Sequence, residues 1–326
     1  MSATMERKGG AATHAAGSGE IAVKGLRHVY KGNVVALDEI DLSFGTGLFG
    51  LLGPNGAGKS TLMKILCTLI TPTKGSVHVN GYDALADPAS VRSSLGYLPQ
   101  EFGAWRLQRV EEALDTLAMM SGISSRTERR KRVGEVLEQV GLEKVPDRKI
   151  KKLSGGMLRR LGVAQALVHD PKIIIVDEPT VGLDPQERIR FGKVMADLSR
   201  ERTIILSTHI IADLGASCHD IAIIDRGRIE FRGSPTDLVA TEAKRIFECK
   251  ISPETPLEGN GYEVVASARG EDGELMMRAV STSGALPEGA TLVDNPNLED
   301  AYLAFMASRG RADAAVSTVG LEEESG

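Results

Sequence analysis

Residues Gly53 to Thr61 read GPNGAGKST, set between the apolar run Leu48-Phe49-Gly50-Leu51-Leu52 and the helical pattern Leu62-Met63-Lys64-Ile65-Leu66. Glycines at 53, 56 and 58 let the backbone take positive φ, so that successive N–H groups can turn inward around phosphate oxygens. Pro54, Asn55, Ala57 and Thr61 complete the loop. The helix that follows aims its N-terminus, worth about +0.5 of an elementary charge, at the same oxygens. Lys59 would reach the β- and γ-phosphates of a nucleotide, and the Ser60 hydroxyl would ligate Mg²⁺. The plain alternative is a glycine-rich turn capping a helix, and the rest of the chain has to decide between them.

Two further stretches bear on that choice. Asp177 and Glu178 follow the run Ile173-Ile174-Ile175-Val176, which places two carboxylates at the C-terminal end of a buried parallel strand, where open α/β sheets bind ligands. Asp177 would hold Mg²⁺ through water, and Glu178 would orient and partly deprotonate an attacking water. Leu153-Ser154-Gly155-Gly156-Met157 precedes the helical LRRLGVAQALVHD, so Ser154 is placed as an N-cap and the glycines free N–H groups for an anion. A second anion-binding helix start in a chain with one phosphate loop raises the prospect that it serves a neighbouring subunit's nucleotide.

These residues need elements to hold them. Residues 1–19, rich in Ala, Gly, Ser and Thr, read as a disordered leader. IAVKGLRHVY and ALDEIDLSF read as strands around the turn Lys31-Gly32-Asn33, and residues 75–81 as a further strand. Residues 88–170 carry apolar positions at three- and four-residue spacing and read as a helical insertion. Continuous apolar runs at 173–176 and 203–206 suit buried parallel strands separated by a helix, and IAIIDRGRIEFRG reads as a hairpin turning at Arg226-Gly227. Residues 241–308 read as a small α/β appendage, with a turn at Glu271-Asp272-Gly273 and a helix capped by Asn297, and residues 309–326 as a polar tail.

In this order the motifs resemble those of the ATP-binding-cassette ATPases over residues 20–240: Walker A at 53–61, a Q-loop at Gln100, the signature LSGGM, Walker B ending in Asp177-Glu178, a D-loop with Asp184 in GLDP, and a switch histidine, His209, in LSTH. The resemblance implies a P-loop NTPase core with a mixed sheet, an antiparallel β subdomain and a helical subdomain. It also implies a head-to-tail dimer with ATP held between Walker A of one subunit and Ser154, Gly155 and Gly156 of the other. Gln100 would sense Mg²⁺ and the water, Asp184 would shape the dimer interface, His209 would hold the γ-phosphate and the water, and Tyr30 would stack on adenine. Met157 stands where the family most often has Gln. Methionine there and the ending NPNLEDAYLAFM resemble the branch serving ABC-2 type exporters, whose permease is a separate transmembrane chain met near Glu101 to Arg109, the segment holding Trp105.

The expected function is thus an ATP-hydrolysing subunit on the cytoplasmic face of a membrane, energising such a permease. A soluble cassette ATPase acting on ribosomes or nucleic acid, or an effector-regulated signalling ATPase, is the rival. A net charge of -5 and a pI near 5.8 offer no basic field, so nucleic acid is not expected as a partner. Cys67, Cys218 and Cys249 form no CxxC or Cys/His cluster. The basic run Arg126, Arg129, Arg130, Lys131, Arg132 reads as a solvated helix face or a patch for a partner.

Overall fold

The computed structural model describes residues 19–101, 105–214, 217–250, 261–269 and 274–311. The expected leader up to residue 18, the turn Glu271-Asp272-Gly273 and the tail beyond residue 311 lie outside them, as do residues 102–104 after the Q-loop position.

β1 (Ile21–Tyr30) and β2 (Val34–Phe44) form an antiparallel hairpin, and Asn33 takes φ 63° at its turn. β3 (Gly47–Leu52) leads through the glycine-rich loop into α1 (Lys59–Leu66). β4 (Lys74–Val79) and β5 (Tyr82–Asp83) extend the first sheet to the order β2-β1-β4-β5. Next come α2 (Pro88–Ser94), β6 (Leu95–Leu98), α3 (Val110–Met120), α4 (Arg126–Gln139) and α5 (Gly155–Leu167). β7 (Ile173–Asp177), α6 (Pro185–Leu198), β8 (Thr203–Thr208), β9 (Asp220–Asp225) and β10 (Arg228–Gly233) complete the second sheet, ordered β10-β9-β3-β8-β7-β6. All its pairings are parallel except β9 with β10, whose turn at Arg226-Gly227 takes φ 48° and 78°. The expected mixed sheet, antiparallel subdomain and helical insertion are all present.

Residues 88–170 are not helical throughout, because β6 lies among them as the edge strand beside β7. Four residues without a β-branched side chain carry too little periodic signal to read as a strand. Gly96 allows this pairing: a Cβ there would sit 2.2 Å from the carbonyl oxygen of Ala166 in α5.

The parallel sheet is buried on both faces, and alternate residues divide between two cores. Ile174, Val176, Ile204, Leu206, Ile221 and Ile223 face the helices, whereas Ile173, Ile175, Ile205, Ala222 and Ile224 face α1 and the antiparallel sheet. This period of two in otherwise unbroken apolar runs is what parallel strands covered on both sides require. The basic run on α4 is also divided. Arg129 donates to the carbonyls of Ile123 and Ser124 and pairs with Asp115, and Arg132 closes the end of α5 on the carbonyls of Leu167 and Val168, while Arg126, Arg130 and Lys131 are exposed.

After α7 (Pro235–Glu242), β11 (Ile246–Lys250), β12 (Tyr262–Arg269), β13 (Leu275–Ser281) and β14 (Thr291–Leu292) form a third, antiparallel sheet, followed by α8 (Leu298–Ala307), capped by Asn297. α8 packs on α7 and buries Tyr302, Leu303, Phe305 and Met306 in the core that also holds the helical side of the parallel sheet. Each such side chain contributes roughly 1.5–3 kcal/mol relative to leaving it exposed. Residues 309–311, expected in the tail, are tied to the cassette: Arg311 makes a two-pronged ion pair with buried Asp225 at 2.7 and 3.2 Å, and Arg309 lies 3.6 Å from the Glu230 carboxylate of β10.

Gly96→Ala should lower unfolding free energy by about 2 kcal/mol or more, since backbone has to move to admit the methyl. Gly192→Ala, within α6 where an added Cβ meets nothing within 4 Å, should instead raise it by up to about 1 kcal/mol. Urea denaturation of both variants checks the pair.

Candidate functional site

The glycine-rich loop is pinned from behind. Gly53 takes φ 155° with its missing Cβ aimed 2.2 Å from the carbonyl oxygen of Ile224 in β9, and Gly58 takes φ 114° with its own aimed 2.6 Å from the carbonyl oxygen of Ala36 in β2. No other residue tolerates both the conformation and the approach. The Gly227 N–H then donates to the Ala57 carbonyl at 2.9 Å, so the β9–β10 turn buttresses the loop. Gly56, at φ 80°, faces open space, and a Cβ added there would meet nothing within 4 Å.

That space is a pocket of about 380 Å³, lined among others by Tyr30, Pro54, Asn55, Gly56, Gly58, Lys59, Ser60, Thr61, Gln100 and Glu178. Lys59, only 4% exposed, donates from Nζ to the carbonyls of Gly53 at 2.6 Å and Pro54 at 3.2 Å, and lies 3.2 Å from Glu178 Oε1. Burial pulls the ammonium below the usual lysine range, and the Glu178 charge opposes that shift. The other carboxylate oxygen of Glu178 lies 2.7 Å from His209 Nδ1. That contact is off the line of a hydrogen bond, so Nδ1 has charge proximity but no directed partner among the described residues. Glu178 itself takes φ 47°, a left-handed conformation that turns the chain sharply at the end of β7.

The remaining expected residues separate into those that join this pocket and those that do not. Asp177 ends β7 and accepts a hydrogen bond from the Ser207 hydroxyl of β8. Gln100 follows β6 and is exposed at the pocket, its carbonyl held by Arg159 of α5 at 2.6 Å. Tyr30 is 41% exposed and lines the pocket, its ring at 84° to that of His28 with centres 4.5 Å apart and its hydroxyl 3.2 Å from that of Thr61. Ser154, Gly155 and Gly156 do not line the pocket. Ser154 caps α5 by accepting from the Met157 N–H at 3.2 Å, and Ser154 and Gly155 are exposed. Asp184 is likewise exposed and caps α6 through the Glu187 N–H at 2.8 Å. Met157 packs against the helical core, with its sulfur 3.7 Å from the Arg148 guanidinium. Sequence reasoning missed Ser207, Arg159 and the Thr180–Asp213 contact. The only available signal was the position of Ser207 and Thr180 beside motif residues.

With this geometry in view, the comparisons with known proteins agree. The model of the family described as ABC transporter matches residues 37–181. Nod factor export ATP-binding protein I of Cupriavidus metallidurans is 38% identical over 222 residues, which cover 68% of this chain and 73% of that protein. The probable multidrug ABC transporter ATP-binding protein YbhF of Escherichia coli is 29% identical over 317 residues, covering 92% of this chain and 54% of YbhF, so the chain spans about half the length of that relative. The dimeric, post-hydrolysis structure of the ATP-binding cassette MJ0796 bound to ADP and Pi has a TM-score of 0.60 at 27% identity, covering 66% of this chain and 98% of that one.

Lys59→Met should weaken binding of a nucleoside triphosphate by about tenfold or more, the scale of a lost charge-assisted hydrogen bond. Lys64→Met, on the exposed side of the same helix, should leave it within about twofold. A calorimetric titration checks both.

Proposed function

The chain belongs to the ATP-binding-cassette family, and from that premise we propose that it binds and hydrolyses ATP to energise a separately encoded transmembrane permease of the ABC-2 exporter type. The observation that carries the chemistry is the row Lys59–Glu178–His209 on the rim of the phosphate loop, with successive separations of 3.2 and 2.7 Å. Backbone N–H groups of the loop and Lys59 hold the β- and γ-phosphates, and Tyr30 offers its ring to the adenine. Glu178 accepts the proton of the attacking water, a role worth about 10² to 10⁴ in rate. His209 steadies the γ-phosphate, and Gln100 reaches toward the same water from the edge of the sheet.

Ser60 and Asp177 suit Mg²⁺, since a hydroxyl and a carboxylate are the hard oxygen donors that ion takes. Among the described residues no group of three or more His, Cys, Asp or Glu side chains is placed to hold a metal, and none is needed where substrate phosphates and water complete the shell. When bound, Mg²⁺ would supply positive charge to offset that of the phosphates.

Ser154 and Gly155 stand exposed at a helix start away from the pocket, which suits them to the nucleotide of a second copy, and Gly156, buried beside Glu187 of α6, completes that helix start. Asp184 lies on the exposed start of the following helix, suited to the interface such a dimer creates. Among the described residues no helix is long and apolar enough to cross a membrane. The naming of the relatives as ATP-binding proteins of transporters supports assigning the translocation path to another chain, with this one bound at its cytoplasmic face. Trp105 and Leu107, 45% and 76% exposed, offer an apolar contact to that partner. The relative named for Nod factor export supports export as the direction.

Glu178→Gln should retain ATP affinity, lower kcat by about 10² or more and accumulate an ATP-bound dimer on size-exclusion chromatography. Turnover near the wild-type rate would remove Glu178 from this role. Purification of the wild-type chain from its native membranes in mild detergent should recover a multi-spanning protein whose presence changes ATP turnover, and recovery of ribosomal proteins instead would favour the soluble reading.

A further inference from the structure

A single 3₁₀ turn, Ile211–Leu214, follows His209, and it carries a carboxylate that no nucleotide-binding motif accounts for. Oδ2 of Asp213 accepts a hydrogen bond from the Thr208 hydroxyl at 2.9 Å and another from the Thr180 hydroxyl. Thr208 is the residue before His209, and Thr180 lies two residues after Glu178. One buried oxygen therefore joins the two chain segments that present the carboxylate and the imidazole to each other.

The turn has firm backing. The Asp213 N–H donates to the Ile210 carbonyl at 3.1 Å, and the Ile210 N–H donates to the Thr208 hydroxyl at 2.9 Å. Leu214 presses on β3 where Gly50 leaves room, a Cβ at that glycine falling 2.7 Å from the Leu214 Cδ2. α6 and α8 pack against the same turn. Asp213 is retained here at a cost: its Oδ1 is buried without a partner among the described residues, and burial raises its carboxyl above the usual aspartate range. What offsets that cost is on the other oxygen, where one acceptor satisfies the buried hydroxyls of both Thr180 and Thr208 and ties their segments together.

We infer that Asp213 is a positioning residue that keeps Glu178 and His209 in register, so that both reach the attacking water and the γ-phosphate in one arrangement. The inference rests on the reading of that pair as hydrolytic. Asp213 does not line the phosphate-loop pocket. It acts through Thr180 and Thr208, and a change there alters the rate of the chemical step while leaving the phosphate loop, and hence ATP affinity, in place.

The test is steady-state ATP turnover, calorimetric ATP titration and thermal unfolding of the full chain with the substitutions Asp213→Asn, Asp213→Leu and Thr208→Val. Asn keeps one acceptor oxygen, so Asp213→Asn should stay within about threefold of wild-type kcat, whereas Asp213→Leu should lose about tenfold or more with ATP affinity changed by less than about threefold. Thr208→Val should lower kcat several-fold alone and add clearly less than that to Asp213→Leu, because the bond to Asp213 is already gone and only the one from the Ile210 N–H is left to lose. Near wild-type turnover of Asp213→Leu, equal loss in the Asn and Leu variants, or independent effects of Asp213→Leu and Thr208→Val would each overturn the inference. If Asp213→Leu does not fold, Thr208→Val against Asp213→Asn decides it: loss in the first with retention in the second supports the role, and turnover unchanged in both overturns it. Wild-type protein without ATP turnover would instead remove the hydrolytic reading, and this inference with it.

Discussion

A buried ammonium is the constraint on which the site depends. Lys59 has left water almost completely, and an uncompensated charge in that position would be costly by several kcal/mol. Its compensation comes from three directions: the carbonyls of Gly53 and Pro54 behind it and the carboxylate of Glu178 across the sheet. Each requires a particular backbone. The carbonyls point inward because the loop turns through glycines pressed against β9 and β2, and Glu178 is in reach because the chain leaves β7 in a left-handed conformation. The same carboxylate faces His209, so the charge that holds the loop also draws the ends of β7 and β8 into one site.

The two-faced parallel sheet makes this possible. Its strands β3, β7 and β8 run side by side in register, so the phosphate loop, Asp177-Glu178 and Thr208-His209 emerge from adjacent carboxyl ends. Antiparallel strands would have sent alternate ends to opposite edges, and β8, lying between β3 and β7, would have carried His209 away from the phosphate loop and the carboxylates. The helices on one face and the antiparallel sheet on the other then exclude water from the strand ends while leaving the rim of the pocket open.

Much of this was legible in the chain. GPNGAGKST carries its own conformational instructions, since within it glycine stands at each positive φ and at each close approach of backbone. The runs at 173–176 and 203–206 announce buried parallel strands because nothing polar interrupts them. What was not legible depends on contacts between distant residues. β6 is too short and too poor in β-branched residues to be seen locally, and becomes a strand only because β7 pairs with it. Arg129 and Arg132 look like part of a solvated basic face until the carbonyls of a preceding turn and of the end of α5 are brought to them. Nor does anything in NPNLEDAYLAFM tell that α8 will share a core with the cassette; its nearly all-apolar character says that it is buried, not against what.

The grip of Arg311 on Asp225 also has a consequence for the order in which the molecule can be finished during its synthesis. The two residues are 86 positions apart, so Asp225 leaves the ribosome well before its partner exists. Until then the strand that backs the phosphate loop ends in a carboxylate whose other ion-pair partner among the described residues is Arg226, at 3.8 Å and exposed. Loop closure over that span is slow relative to local helix and hairpin formation. The nascent cassette therefore passes through a stage in which its motifs are all translated while Asp225 and the apolar seat of α8 still lack the partners that cover them.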